Sequence, residues 1–277
     1  MRFGFVLPGG GATEQLEQAV LADDAGWDAV FVWEAAYGVD AWSLLAAMAA
    51  KTSRVRLGTM LTPLPWRRPW KVASQVATLD QLSGGRAILA VGLGAPDPAL
   101  GTTGEVTDRR ARAALLDEGI DVVYSLWHGD LEHHGPAFDV DLRPRVELFG
   151  EFTPVQQPHP PLWCVGAWPR PRSMRRVLRC DGWLPNVLDA GGEHRSATPD
   201  DVRAARAWFD ATGPVRDGFD VIVEGETPAD DAGAASAIVA PWADAGATWW
   251  LDARWSVDAA DRRRVVEERL AAGPPRL

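Results

Sequence analysis

Residues 54–94, RVRLGTMLTPLPWRRPWKVASQVATLDQLSGGRAILAVGLG, read as one strand–helix–strand unit. The first strand, Val55 to Met60, runs into a proline-rich loop. An amphipathic helix follows from about Pro69 to Leu82. Ser83-Gly84-Gly85 closes it, because glycine takes the left-handed conformation on which helices commonly end. A second strand, Ala87 to Val91, is apolar throughout, the pattern of a strand buried on both faces.

The same alternation continues on both sides of this unit. Upstream lie a strand from Phe3 to Leu7, a helix from Thr13 to Ala25 stopped by Gly26, a strand from Ala29 to Trp33, and a helix from Asp40 to Lys51 with Asp40 as its N-cap. Downstream come a long helix, Asp108 to Leu126, a strand from Leu162 to Val165 with a helix from Arg172 to Arg179, and a short strand from Gly182 to Leu184. Thr198-Pro199-Asp200 starts the next helix, a cap followed by proline at the first helical position. A strand from Asp220 to Val223, a helix from Pro228 to Ala245, a strand from Thr248 to Leu251 and a helix from Asp258 to Ala271 complete the pattern. Eight strand–helix pairs in 277 residues predict an α/β chain, a single (β/α)8 TIM barrel over residues 1–277, in preference to an open doubly wound sheet. Residues 128–161 break the rhythm and are too long for a plain loop. They read as an insertion before strand five, a hairpin covering one end of the barrel.

Composition narrows the classes. The net charge of −10 argues against nucleic acid or anionic membrane as the main partner. No apolar run reaches the length of a membrane span, and the chain opens on a strand rather than on a secretion signal. Cys164 and Cys180 lack metal-ligand spacing, and no metal is expected. Reduced thiols in a cytoplasmic setting are favoured over a disulfide. Of 28 basic residues only Lys51 and Lys71 are lysines, a bias that suggests a GC-rich genome. The 14 tryptophans suggest a large core and flat apolar surface for a planar ligand.

The order of these segments resembles that of the luciferase-like monooxygenases, flavin- or deazaflavin-dependent (β/α)8 oxidoreductases. The likeness extends from the opening stretch to AGWDAVFVWE (25–34), LLDEGIDVVYSLWHG (115–129), PVQQPHPPLWCVGAWP (154–169), CDGWLP (180–185) and the GPP of the tail (273–275). It covers nearly the whole chain and rests on order and spacing. It implies a cofactor at the C-terminal end of the barrel, where Leu7, Pro8, Trp33, Glu34, Thr59, Met60, Leu61, Thr62, Gly92, Gly94, Gly166, Ala167, Trp168, Asn186, Glu224 and Asp252 match. Gly92 and Gly94 either let the backbone approach the ring or make a tight turn. Gly166 and Ala167, with Ser173 and Arg170 or Arg172, are candidate phosphate donors. Arg175, Arg176 and Arg179 read as a solvated face. Arg67 and Arg68 either meet an anionic group or stand in solvent. Two positions depart from the family: Glu34 and its neighbours stand where many members carry a histidine, and Leu93 fills a basic position. No histidine falls at a strand end.

The resemblance implies reduced FMN with oxygen, acting as a monooxygenase on a small organic substrate, apolar or aromatic given the tryptophans. The alternative is coenzyme F-420, an 8-hydroxy-5-deazaflavin, with hydride transfer. Glu34 is the acid/base candidate, since a carboxyl among apolar neighbours is pushed towards neutrality; the other reading is a salt bridge to an arginine. Tyr37 is a second proton donor candidate, and Asp252 and Arg254 are expected to pair. A separate flavin reductase and a homodimer through the faces carrying Trp42, Met48, Trp70 and Val76 are further expectations. Two other classes stay open: a hydrolase using Glu34 with Glu224 or Asp252, and a non-catalytic or decayed ligand-binding barrel.

Overall fold

The computed structural model describes residues 1–95 and 102–277. Eight parallel strands form a closed ring: β1 (Arg2–Leu7), β2 (Ala29–Val32), β3 (Arg56–Thr59), β5 (Ala87–Gly92), β8 (Leu162–Trp168), β9 (Gly182–Leu188), β11 (Asp220–Gly225) and β12 (Trp249–Ala253). The last pairs with the first, Phe3 opposite Trp250, so no edge remains and the open-sheet alternative is excluded. A short strand, β4 (Thr62–Pro63), extends along β5 beyond β3, and β10 (His194–Arg195) folds back antiparallel on β9.

Helices α1 (Ala12–Ala25), α2 (Ala41–Lys51), α3 (Pro69–Ser83), α4 (Arg109–Trp127), α6 (Pro171–Val177), α7 (Pro199–Thr212), α8 (Ala232–Asp244) and α9 (Arg262–Ala271) return the chain between strands. Their limits follow their caps. Asp40 accepts the Ser43 N–H at 2.8 Å, and Thr198 and Asp201 form a reciprocal capping box. Gly26 and Gly84 end α1 and α3 in the left-handed conformation. α8 starts at Ala232 rather than near Pro228, because Asp231 caps it through the Ala234 N–H. β9 runs four residues past the expected end at Leu184. Pro185 lacks an N–H, yet β8 continues beside it with Gly166 opposite, so the pairing carries on.

The core has two shells. Phe31, Trp163, Trp249, Ile88, Ile222 and Leu251 fill the barrel, with Trp163 and Trp249 edge to face at 5.2 Å between centroids. A larger shell lies between barrel and helices. Trp42, Met48 and Val76 are buried in that shell, so they are not an exposed pairing surface, and Trp70 packs edge-on against Phe138 at 6.2 Å. Gly58 is required by the inner shell: a Cβ there would lie 2.5 Å from the Ile88 carbonyl oxygen and 3.1 Å from the Phe31 ring. Backbone cannot yield cheaply, so Gly58→Ala is expected to cost roughly 1–3 kcal/mol, measured by chemical denaturation.

The segment before β8 does contain a hairpin, β6 (Glu132–His134) with β7 (Asp139–Asp141), followed by a short helix, α5 (Arg143–Phe149). The hairpin docks on the flank of α3 and α4 rather than over the barrel. Phe138 and Val140 pack on Val122, and Glu118 accepts the Phe138 N–H at 2.7 Å. Beyond it, Asp80 accepts the N–H groups of Val155 and Gln156, which draws the chain past the N-terminal ends of the strands. Among the described residues, no helix is long and apolar enough to cross a membrane.

Candidate active site

The C-terminal ends of the eight strands open into one cavity of about 970 Å³, near the top of the range for small-molecule sites, roughly 300–1,000 Å³. Its apolar walls include Pro8, Trp33, Met60, Leu61, Trp66, Val165 and Trp255. Its polar groups are Glu34, Arg109, Arg112, Ser173, Arg176, Asn186, His194 and Glu224.

Glu34 follows β2 and is nearly buried. Thr62 donates to its Oε2 at 2.5 Å, and since that spends the only proton of Thr62, Thr59 must donate to Thr62 across 2.8 Å. Arg67 Nη1 lies 2.7 Å from Oε1. Burial pushes the Glu34 carboxyl above its ordinary value, and this outweighs Arg67, Thr62 and the Trp42 indole, which favour the carboxylate. The ion pair and the raised proton affinity therefore coexist: Arg67 offsets part of the desolvation and does not cancel it. Glu224 is open to the cavity, yet the cavity is deep, and the surrounding protein pushes its carboxyl up as well, against a hydrogen bond donated by Trp255 Nε1 at 3.0 Å.

The structure separates the residues expected at the site. Glu34, Leu61, Gly94, Ala167, Ser173 and Asn186 line the cavity. Leu7, Thr59 and Thr62 are buried beneath it, the threonines acting through Glu34. Gly92 is off the cavity surface, but a Cβ there would press on Leu61 and Val165 at 3.1 and 3.2 Å, so its absence lets two wall residues meet. Gly94 has φ +80° and would place a Cβ 2.6 Å from the Trp66 ring. Gly166 faces the outer shell, where its carbonyl accepts from Trp183 Nε1, and Trp168 packs outward against Trp208. The Ala167 N–H is spent on Ser173 Oγ at 2.9 Å, so of the expected phosphate cradle at the start of α6 this donor is taken, whereas the Ser173 hydroxyl, which accepts that bond, still faces the cavity with its own proton. Tyr37 is 99% exposed and off the cavity surface, so the fold does not bring this proton donor candidate to the others.

Three groups emerge that sequence reasoning missed. Arg112 reaches back from the first turn of α4, donating Nη1 to the Leu93 and Gly94 carbonyls at 3.2 and 3.4 Å, and so brings a positive charge to the cavity wall beside Leu93. The signal was available, because basic residues at a helix start oppose the macrodipole and need another reason. Arg176 is buried, not solvated, because Asp117 on α4 pairs with it at 2.7 Å. His194 enters through β10, with Nδ1 2.8 Å from Asn186 Oδ1, although no local pattern marks that strand.

A flavin-type group fits this site. Arg112 Nε is buried without a hydrogen-bond partner among the described residues, a donor that an anionic tail would satisfy, and the apolar walls suit a planar ring. The hydrolase alternative loses one partner. Asp252 is fully buried and held by Arg254 and Arg269 at 3.2 and 3.0 Å, which realises the expected pair with Arg254 but keeps it off the cavity surface.

The cavity sits at the C-terminal ends of the strands, where barrel enzymes keep their active sites, and the chain belongs to the luciferase-like monooxygenase family, whose profile matches residues 1–274. It is 34% identical over 199 residues to a Mycobacterium tuberculosis (strain ATCC 25618 / H37Rv) protein named by inference a coenzyme F-420-dependent oxidoreductase, covering 67% of this chain and 55% of that one. It is 29% identical to the oxygenase component of the flavin-dependent trigonelline monooxygenase of Acinetobacter baylyi (strain ATCC 33305 / BD413 / ADP1), covering 56% and 43%. The chain thus spans about half the length of these curated relatives. The fold matches that of a coenzyme F-420-dependent secondary alcohol dehydrogenase solved with an F-420–acetone adduct, with a TM-score of 0.75, 18% identity and 98% coverage of both chains.

Proposed function

We propose that this chain is an oxidoreductase that binds reduced FMN at the strand ends and transfers oxygen to a small organic substrate. The observation that carries this reading is one cavity joining a cluster of arginines, one with an orphaned donor, to a carboxyl raised by burial. When bound, reduced FMN supplies oxygen activation, and reduced coenzyme F-420 would instead supply a hydride. Arg109, Arg112 and Arg176 would hold the anionic tail, and Leu61, Val165 and Trp66 would flank the ring. Glu34 would hold a proton at Oε1 or Oε2 for the reacting oxygen, positioned by Arg67 and the two threonine hydroxyls. The apolar walls exclude water and favour an apolar or aromatic substrate.

The coenzyme F-420 reading is supported by the name of the M. tuberculosis relative. A separate flavin reductase is supported by the A. baylyi relative, which is an oxygenase component. A cytoplasmic location, supported by two buried free thiols, a homodimer, and residues 128–161 as an insertion into one barrel domain complete the proposal.

The test is titration with FMN and with coenzyme F-420, oxidised and reduced, read by tryptophan quenching and thermal shift. Micromolar binding of one is expected, and binding of neither in any state would overturn the reading in favour of the non-catalytic barrel. Arg109 is solvent-exposed, so Arg109→Ala should leave the melting temperature unchanged while weakening cofactor binding by roughly tenfold, the loss of one charge-assisted bond.

A further inference from the structure

The charge in the cavity is divided, and the division follows the strand order. The arc of β5, β8 and β9 brings the arginines and His194. The opposite arc, β11, β12, β1 and β2, brings Glu224, Trp255, Pro8 and Trp33, whose strands are neighbours round the barrel. We propose that this second arc is a subsite for a compact organic cation on the substrate, a quaternary ammonium or N-alkylpyridinium group, held by the Glu224 carboxylate and the indoles of Trp33 and Trp255. The inference rests on the oxidoreductase reading, in which the anionic cofactor takes the basic arc and leaves this one to the substrate.

Three observations carry it. Glu224 makes no ion pair among the described residues, whereas Glu34 in the same cavity is matched by Arg67. Trp33 and Trp255 are 56% and 51% exposed, although most of the tryptophans whose burial is extreme lie in the core, so these two present apolar aromatic surface to whatever enters. The bond from Trp255 Nε1 to Glu224 Oε2 at 3.0 Å ties one indole to the carboxylate, so both act on the same ligand group. A neutral ligand that covered Glu224 would leave a desolvated carboxylate without a countercharge, and an anion would be repelled. A cation supplies the missing countercharge, and the indoles add cation–π attraction. Burial raises the proton affinity of Glu224, and a cation seated against it would hold it as the carboxylate.

The test compares N-methylpyridinium with its neutral isostere toluene by calorimetry, in the protein as purified and after loading with FMN or coenzyme F-420. The cation should bind at least about tenfold tighter, as cation–π attraction and charge pairing together predict. In Glu224→Gln, with cofactor binding and melting temperature as controls of folding, the preference should fall to within about threefold. Equal affinities, tighter binding of toluene, or no binding of either would overturn the inference, whether or not the variant folds. A preference that survives Glu224→Gln would overturn the assignment to this arc. Failure of both cofactors to bind is a separate outcome that strikes the oxidoreductase reading alone, because the cation preference is also measured without them.

Discussion

Glu34→Gln is expected to lower turnover by roughly 10²–10⁴-fold while leaving the affinity for cofactor within a few-fold of the parent, the signature of a lost proton-transfer group. Gln keeps the size of the side chain and can still accept from Thr62, but its neutral amide gives up the ion pair with Arg67 together with the titrating proton. If Glu34 served only as an anchor for Arg67 at the barrel mouth, turnover would stay within a few-fold. The pH profile separates the two cases further. Because burial raises the Glu34 carboxyl, its protonated form persists to higher pH than an ordinary glutamic acid. As a general acid it would give a rate that falls as pH rises through that raised value, and the Gln variant should lack this limb. Stability carries the opposite sign from an ordinary ion pair. Below the unfolded-state value both states are protonated and Glu34 costs nothing; as pH rises, the unfolded state ionises first and the folded state loses ground. Glu34→Gln should therefore gain in stability relative to the parent between acidic and neutral pH, measured as the difference in melting temperature at each pH. A variant that loses ground as pH rises would contradict the desolvation argument.

Asp252→Ala is expected to destabilise the fold by roughly 3–5 kcal/mol, since it strands buried cationic partners. Asp252 and Arg269 are almost wholly inaccessible, with Arg269 Nε 3.0 Å from Oδ2, and Arg254 Nε is 3.2 Å from Oδ1. Thr227 donates its hydroxyl and its N–H to the same carboxylate. Arg269 also reaches the Gly273 carbonyl at 2.7 Å, so the cluster ties β12 to the turn after β11 and to the end of α9. Truncation leaves two guanidinium groups in low dielectric with one countercharge removed. For a chain of this size the melting temperature should drop by roughly 10 °C, measured by calorimetry. A change within the scatter of ordinary surface substitutions, about 0.5 kcal/mol, would show that water or Glu226 compensates. The end of β11, just before the turn that holds Thr227, and the residues after β12 carry Glu224 and Trp255, so the same variant should also loosen that wall of the cavity.

Much of the barrel is legible from short-range chemistry. Apolar strands such as Ala87–Gly92, the caps at Asp40 and Thr198, and the glycines at 26 and 84 each declare themselves within a few residues. The strand past Pro185 was not legible, because its pairing is supplied by β8, about 20 residues earlier in the chain. The same limit governs the site. Glu34 stood out by its apolar neighbours, but its ion pair with Arg67 depends on how two strand ends meet. Arg176 looked like a solvated face because Asp117, which buries it, lies on a different helix 59 residues away.

The sequence by itself determined the alternation of strands and helices, the closure implied by eight pairs, and the end of the barrel where polar groups gather, since all three follow from local periodicity and a fixed chain direction. Tertiary structure alone decided which side chains share the cavity. It sent Tyr37 to solvent, spent the Ala167 N–H on Ser173, brought in Arg112 and His194, and left Glu224 without a countercharge among the described residues. The reason is physical: a hydrogen-bond partner or a charge acts over a few ångströms of space, and residues that close are far apart along the chain.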